Sequence, residues 1–217
     1  MMTEHDRGFS ESRLAEYRSA CAAASSENFL VVPGIEYSDA ANTVHVLTWG
    51  CPRFLGEGVP TSELLARVRA EEGIAVLAHP SRLDAWKQFD PQWSANLLGI
   101  ELWNRKTDGW APSRTAPGLF AQGRLANFAG LDFHDRRQFF PLSMRVKFAG
   151  DVNEQSVIEA FRSGRAEASV FGKPIPFASV AFATAEQLRR PLAKLLRRFR
   201  RQPSASETRT AKEMHAT

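Results

Sequence analysis

The sequence predicts an α/β domain built on a largely parallel sheet, open or closed into a barrel. Two runs, Ile74–Ala78 and Leu98–Trp103, read as strands buried on both faces, which is the pattern of parallel strands. Segments of helical period alternate with them, the order that lays helices over a parallel sheet. At 217 residues, 43% hydrophobic and 10% aromatic, the chain carries enough apolar side chain for one packed core.

The elements follow in chain order. Ser10–Ser25 holds helix formers, with Leu14, Tyr17 and Cys21 near one face and Ser10 placed as N-cap. Phe29–Val32 reads as a strand, Pro33-Gly34 as a turn, and Ile35–Ser38 as a second strand edge. Val44–Trp49 is a short strand rich in β-formers. A helix is expected over Thr61–Glu72, with Leu64, Leu65 and Val68 inward and Gly73 as its stop. Leu83–Asn96, rich in Trp and charge, reads as helix with loops. Arg124–Gly130 leads into Leu131-Asp-Phe-His134, Ser143–Phe148 forms a strand, and Asn153–Ser163 a helix capped by Asn153 and stopped by Gly164. No internal repeat interrupts this order.

Charge is unevenly placed. Nine Lys/Arg and two acids between Arg189 and Thr217 carry a net +7, which leaves −3 on the rest of a +4 chain. The sequence pI of 9.4 therefore belongs to the tail and is no footprint of nucleic-acid binding by the body. Leu188, Leu192, Leu195, Leu196 and Phe199 recur at helical spacing among those basic residues, so residues 186–217 are expected to be a basic amphipathic helix with a disordered end, and residues 1–185 the folded domain. A solvated helix is the default for such a tail. Contact with nucleic acid or with an anionic surface is the sharper alternative. No apolar run nears the roughly 18–20 residues that span a bilayer, and no secretory leader is visible. With only Cys21 and Cys51 there is no disulfide framework, and a cytoplasmic setting is expected.

The chemistry lies in histidines. Four of the five, His5, His45, His79 and His134, stand at or beside expected strand ends, accompanied by Glu36 and Asp132. Strand ends of parallel sheets are where ligands bind. Asp132 and His134 are two apart, so an extended segment would turn both side chains to one side. A lone histidine at a strand end is more often a hydrogen-bonded structural residue than a ligand; four with two carboxylates are harder to dismiss. Mixed nitrogen and oxygen ligands suit zinc, manganese or iron, and metal-assisted hydrolysis is the natural reaction class.

The ordered segments Thr3-Glu-His-Asp6, Pro33-Gly-Ile-Glu36, His45-Val-Leu47, Gly73–Pro80 and Gly130-Leu-Asp-Phe-His134 resemble motifs of the PHP (polymerase and histidinol phosphatase) family, and Gly99–Asn104 resembles the strand before its last motif. The likeness spans roughly residues 3–172. It implies a distorted (βα)7 TIM-like barrel with divalent ions, two or three in a complete site, at the carboxyl ends of the strands. It implies metal-dependent hydrolysis of phosphate monoesters, nucleotides or oligonucleotides. His5, Glu36, His45, His79, Asp132 and His134 would be metal ligands, Glu36 the bridge between ions, and His79, Asp132 and His134 the residues closest to catalysis. The family's first motif, a His-x-His pair, has no counterpart, so the expectation is a barrel missing its first strand and helix, and a longer frame upstream of Met1. A noncatalytic remnant that binds metal or a partner is the alternative.

Supporting residues carry weaker signals. Arg82 follows the His79-Pro80 turn and Arg105 follows a strand end, so both are candidates to grip a substrate phosphate. Solvated loop arginines are at least as common. Five tryptophans would make a base-stacking surface, although packing between strands and helices accounts for most of them more simply.

Overall fold

The computed structural model describes residues 1–113, 125–148 and 150–177. The chain divides into Met1–Ile175 and Pro176–Thr217, and every strand and helix named here belongs to the first unit. The basic segment 186–217 expected from the sequence lies outside the described residues, as does Arg124.

One six-stranded sheet organises this unit, in the order β1 (Met2–His5), β2 (Pro33–Ser38), β3 (His45–Trp49), β4 (Ile74–Ala78), β5 (Gly99–Asn104) and β6 (Ala126–Gly130). A separate three-stranded antiparallel sheet follows, of β7 (Leu142–Val146), β8 (Ala166–Val170) and β9 (Lys173–Pro174). Among the described residues helices are few: α1 (Glu11–Ala24), α2 (Thr61–Ala70), the single turn α3 (Arg105–Asp108) and α4 (Glu154–Arg162). Two 3-10 segments, Arg82–Gln88 and Pro91–Ala95, fill the stretch expected as helix with loops.

The expected (βα)7 barrel is not what the chain forms. β1 runs parallel to β2, but β2 and β3 are antiparallel, as are β3 and β4; only β4, β5 and β6 continue in parallel. The order is mixed, helices do not alternate with every strand, and the strands fall into two sheets. The cause is short-range. Residues 39–44 between β2 and β3 are too few for a parallel crossover, which needs about a dozen residues or more, so the chain must turn back on itself. Asp39 holds that turn, its Oδ1 accepting from the N–H groups of Thr43 at 2.6 Å and Val44 at 3.1 Å.

The sheet is covered on both faces, and β4 shows how. Ala75 and Leu77 enter a core with Leu14 of α1, Leu64, Leu65 and Val68 of α2, and Ile35, Tyr37 and Ile100. Ile74 and Val76 enter a second core with Trp49, Phe128 and α4 residues Val157, Ile158 and Phe161. Each buried Leu, Ile or Phe is worth roughly 1.5–3 kcal/mol over an exposed one, so this alternation fixes which way every strand faces.

Caps agree with the sequence at Ser10, which accepts from Arg13 N–H at 3.2 Å, and at Asn153, which accepts from Ser156 N–H at 2.9 Å. Three details differ. Phe29–Val32 is not a strand; β2 begins at Pro33, since proline is tolerated as a strand's first residue. Glu72, not Gly73, takes the left-handed conformation after α2 (φ 55°), while Gly73 is needed because a Cβ there would strike Cys51 Sγ. Leu131–His134 is not extended: β6 ends at Gly130, and Asp132 is left-handed (φ 49°).

Candidate metal centre

The direction of each strand brings the six predicted residues to one rim. His5 ends β1, opposite Glu36 of β2 in the parallel register. His45 opens β3, which runs the other way, so its start lies at the same rim and pairs with Ala78 at the end of β4. His79 follows directly. β5 and β6 are parallel neighbours, with Asn104 opposite Gly130, and Asp132 and His134 leave just beyond. Antiparallel β3 thus contributes its first residue at the carboxyl ends of its neighbours, where Glu36 stands two residues before the end of β2 and His79 follows β4.

Glu36, His45 and His79 are buried, and one ligand atom from each lies within 4.8 Å of the others. This Glu/His/His group can hold a metal ion. Glu36 Oε1 lies 2.5 Å from His45 Nδ1 and 3.2 Å from His79 Nε2, while Oε2 is 3.7 Å from His5 Nδ1. Burial alone would raise the Glu36 pKa, but the two imidazoles against it win and hold its carboxyl far below the ordinary range. Burial pulls the His79 imidazole down, and the carboxylates of Glu36, Glu101 and Asp132 outweigh that, leaving it above its ordinary value. His79 Nδ1 is buried without a hydrogen-bond partner among the described residues, so the ring is oriented by its Nε2 face, toward Glu36 and Asp132. On His45, Asn42 Oδ1 sits 3.0 Å from Nε2, which leaves Nδ1 as the nitrogen turned to Glu36.

The other half is more open. Asp132 Oδ2 is 4.0 Å from His79 Nε2, and Oδ1 is 3.2 Å from His134 Nδ1. The side chains of His5 and His134 are 54% and 47% exposed, against 5% for His45 and His79. Their rings stand with centroids 6.1 Å apart. The left-handed turn at Asp132, rather than an extended segment, turns Asp132 and His134 toward the rim.

Sequence reasoning missed two residues. Glu101 is buried within β5, where its Oε2 accepts the His79 backbone N–H at 2.8 Å and an Asn104 Nδ2 hydrogen at 3.0 Å. Burial pushes its carboxyl up to about 7. His79 has φ 27°, so this hydrogen bond pins a strained residue at the centre. Gly130 makes room for it: a Cβ there would collide with Glu101 Oε1. The signal was a carboxylate inside an otherwise apolar strand, which demands a buried partner. The second, Lys106, places Nζ 3.1 Å from Asp132 Oδ1 and 3.3 Å from each ring nitrogen of His134. As one lysine in a short polar stretch after β5 it gives no sequence signal.

The two candidate phosphate arginines separate. Arg82 Nη1 donates to Asn42 O at 2.8 Å and lies 3.3 Å from His45 Nε2, so it borders the centre. The Arg105 guanidinium is instead 3.9 Å over the Trp110 ring and 5.5 Å from that of Phe140. Of the tryptophans, Trp49, Trp93 and Trp103 are core residues and Trp110 is exposed. Cys21 and Cys51 are free, and burial pushes the Cys51 thiol up to about 12, so it is no ready nucleophile.

No family model and no curated protein matches this chain. Among solved structures, the crystal structure of PsfC from Pseudomonas syringae PB-5123 aligns with it at 14% identity, over 78% of this chain and 69% of that one, with a TM-score of 0.49. A likeness at that level leaves function to rest on the rim's own geometry. No helix among the described residues is long and apolar enough to cross a membrane.

Proposed function

We propose that this rim is a divalent-metal centre that hydrolyses phosphate esters: monoesters, nucleotides or oligonucleotides. The supporting observation is Glu36, a buried carboxylate shared by two buried imidazoles, with a third imidazole on its other oxygen. A histidine kept for packing needs one hydrogen-bond partner. It does not need two more histidines and a second carboxylate arriving from separate strands. The donor set of imidazole and carboxylate fits zinc, manganese or iron. The ordered motifs that resemble the PHP family fit the same reading, since each of their metal-type residues reaches this rim.

A divalent ion bound here would lower the pKa of a water and withdraw charge from the phosphoryl oxygens. The chain's own residues then have distinct tasks. Glu36 and Asp132 neutralise positive charge from either side and turn His79 between them. Glu101 fixes the backbone of His79 and so the aim of its ring. His134, half exposed and with Nδ1 3.0 Å from Asp132 O, stands at the open edge, where it can pass a proton to a departing alkoxide. Arg82, tied to Asn42 O beside His45, offers its guanidinium to a phosphoryl oxygen.

The test is metal content together with hydrolysis of p-nitrophenyl phosphate with and without added Mn2+ or Zn2+. Metal-dependent turnover is expected, and His79→Ala and Asp132→Ala should each reduce it at least a hundredfold while far-UV circular dichroism stays unchanged. Bound metal without turnover on aryl phosphate or nucleotides would make the centre a noncatalytic binding site. Turnover indifferent to both substitutions would remove this rim from the chemistry.

A further inference from the structure

The centre has two unlike halves, and a lysine stands in one of them. Asp132 is divided between two neighbours: Oδ2 faces His79 at 4.0 Å, while Oδ1 meets Lys106 Nζ at 3.1 Å and His134 Nδ1 at 3.2 Å. A carboxylate split in this way is the geometry of a bridge between two cations. On the inner side the cation would be a metal ion held with Glu36, His45 and His79. On the outer side a cation is already present, covalently attached to the chain. Lys106 Nζ sits 3.3 Å from both ring nitrogens of His134, against the donor atoms that a second ion would need.

Lys106 does not arrive there by chance. It lies in α3, whose single turn is held at both ends. Asn104 Oδ1 accepts from Thr107 N–H at 2.9 Å, Asn104 N–H donates to Asp108 Oδ2 at 2.8 Å, and Ser81 Oγ–H donates to Asp108 Oδ1 at 2.5 Å. Parallel pairing of β5 and β6 then sets this turn beside the segment carrying Asp132. An ammonium and a divalent ion cannot share the same carboxylate oxygen and imidazole, both because the space is taken and because their charges repel.

We infer that Lys106 occupies the second cation position, so that the chain binds one divalent ion, at Glu36, His45 and His79. The ammonium supplies the positive charge on the Asp132–His134 side. A phosphoryl oxygen directed there meets a lysine, with three donors and a fixed charge. This rests on the metal-centre reading above and assigns it a stoichiometry.

Equilibrium dialysis against Mn2+ alone tests it, with bound metal counted per chain and electron paramagnetic resonance recorded for spin coupling. Wild type should take up one Mn2+ with an uncoupled spectrum. Lys106→Ala should take up two, with the second lost again in Lys106→Ala/His134→Ala and the spectrum showing a coupled pair. Lys106→Arg, which keeps the charge, should stay at one. Lys106 is 42% exposed, so thermal unfolding should show all these variants folded. Two ions in wild type, or one in Lys106→Ala, would overturn the assignment while leaving the centre itself intact. No tightly bound Mn2+ in any variant would remove the metal centre and the assignment with it.

Discussion

The inner and outer halves of the rim use the same residue types but hold them by different means. Inside, Glu36, His45 and His79 belong to strands or follow one directly. They are buried, and Glu101 beneath His79 keeps even the backbone in place. Outside, Asp132 and His134 ride on a left-handed turn beyond β6, with the His134 ring half open to solvent and a lysine as their cation. The inner half is preorganised by the fold. The outer half is arranged by a loop, where adjustment to a substrate costs little.

That contrast predicts unequal losses. Glu36→Gln keeps shape and hydrogen bonding but removes the charge between His45, His79 and His5, so Mn2+ affinity should fall at least a hundredfold. The same change at Asp132 should weaken binding about tenfold. Isothermal titration of both variants checks the ranking, and equal losses would erase the distinction between the halves. Gly130→Ala comes next. Its Cβ would displace the Glu101 carboxylate, costing about 1–3 kcal/mol in urea unfolding and lowering metal affinity through His79. A neutral result there would mean that Glu101 does not support the centre.

The metal-free inner half should also have a characteristic pH profile. Glu36 lies far below its ordinary 4.5, so its contribution to stability is present above that value and is lost as pH falls. Glu101 is raised to about 7 and His79 above its ordinary 6.5. Their contributions are present at low pH and are lost as pH rises through those raised values. In EDTA the melting temperature should therefore fall on both sides of a maximum at about 4.5, the alkaline decline running up to about 7 as Glu101 loses its proton. Glu101→Gln should flatten the alkaline limb, and an unchanged limb would place the titration elsewhere. The smallest effect separates the arginines: Arg82→Ala should raise KM for an aryl phosphate several-fold. Arg105→Ala should leave KM alone and cost about 0.5–1 kcal/mol of stability from its contact with Trp110. The reverse result would exchange their roles.

How much of this could be read from the sequence depends on range. Strand ends were legible because apolar runs stop at Ala78, Trp103 and Gly130, and any topology that aligns those ends gathers His79 and Asp132. The barrel was not, because strand direction is decided by connection length, and the six residues between Ser38 and His45 force an antiparallel return that a largely parallel sheet does not contain. His45 reached the rim even so, since reversing β3 exchanges its end for its beginning. For Asp132 and His134 the extended-strand argument failed; the left-handed Asp132 does the work that alternation was expected to do. Glu101 was readable as a charge in a buried strand. Lys106 was not, because its contact exists only once β5 and β6 lie side by side.

The affinity and turnover outcomes presume an ion at the inner half. A crystal structure of the full chain grown with Mn2+, with anomalous scattering recorded at the manganese edge, examines that ion without any intermediary. A peak is expected within about 2.0–2.3 Å of Glu36 Oε1, His45 Nδ1 and His79 Nε2. A map with no peak there, or with manganese only at surface carboxylates, would refute the metal centre.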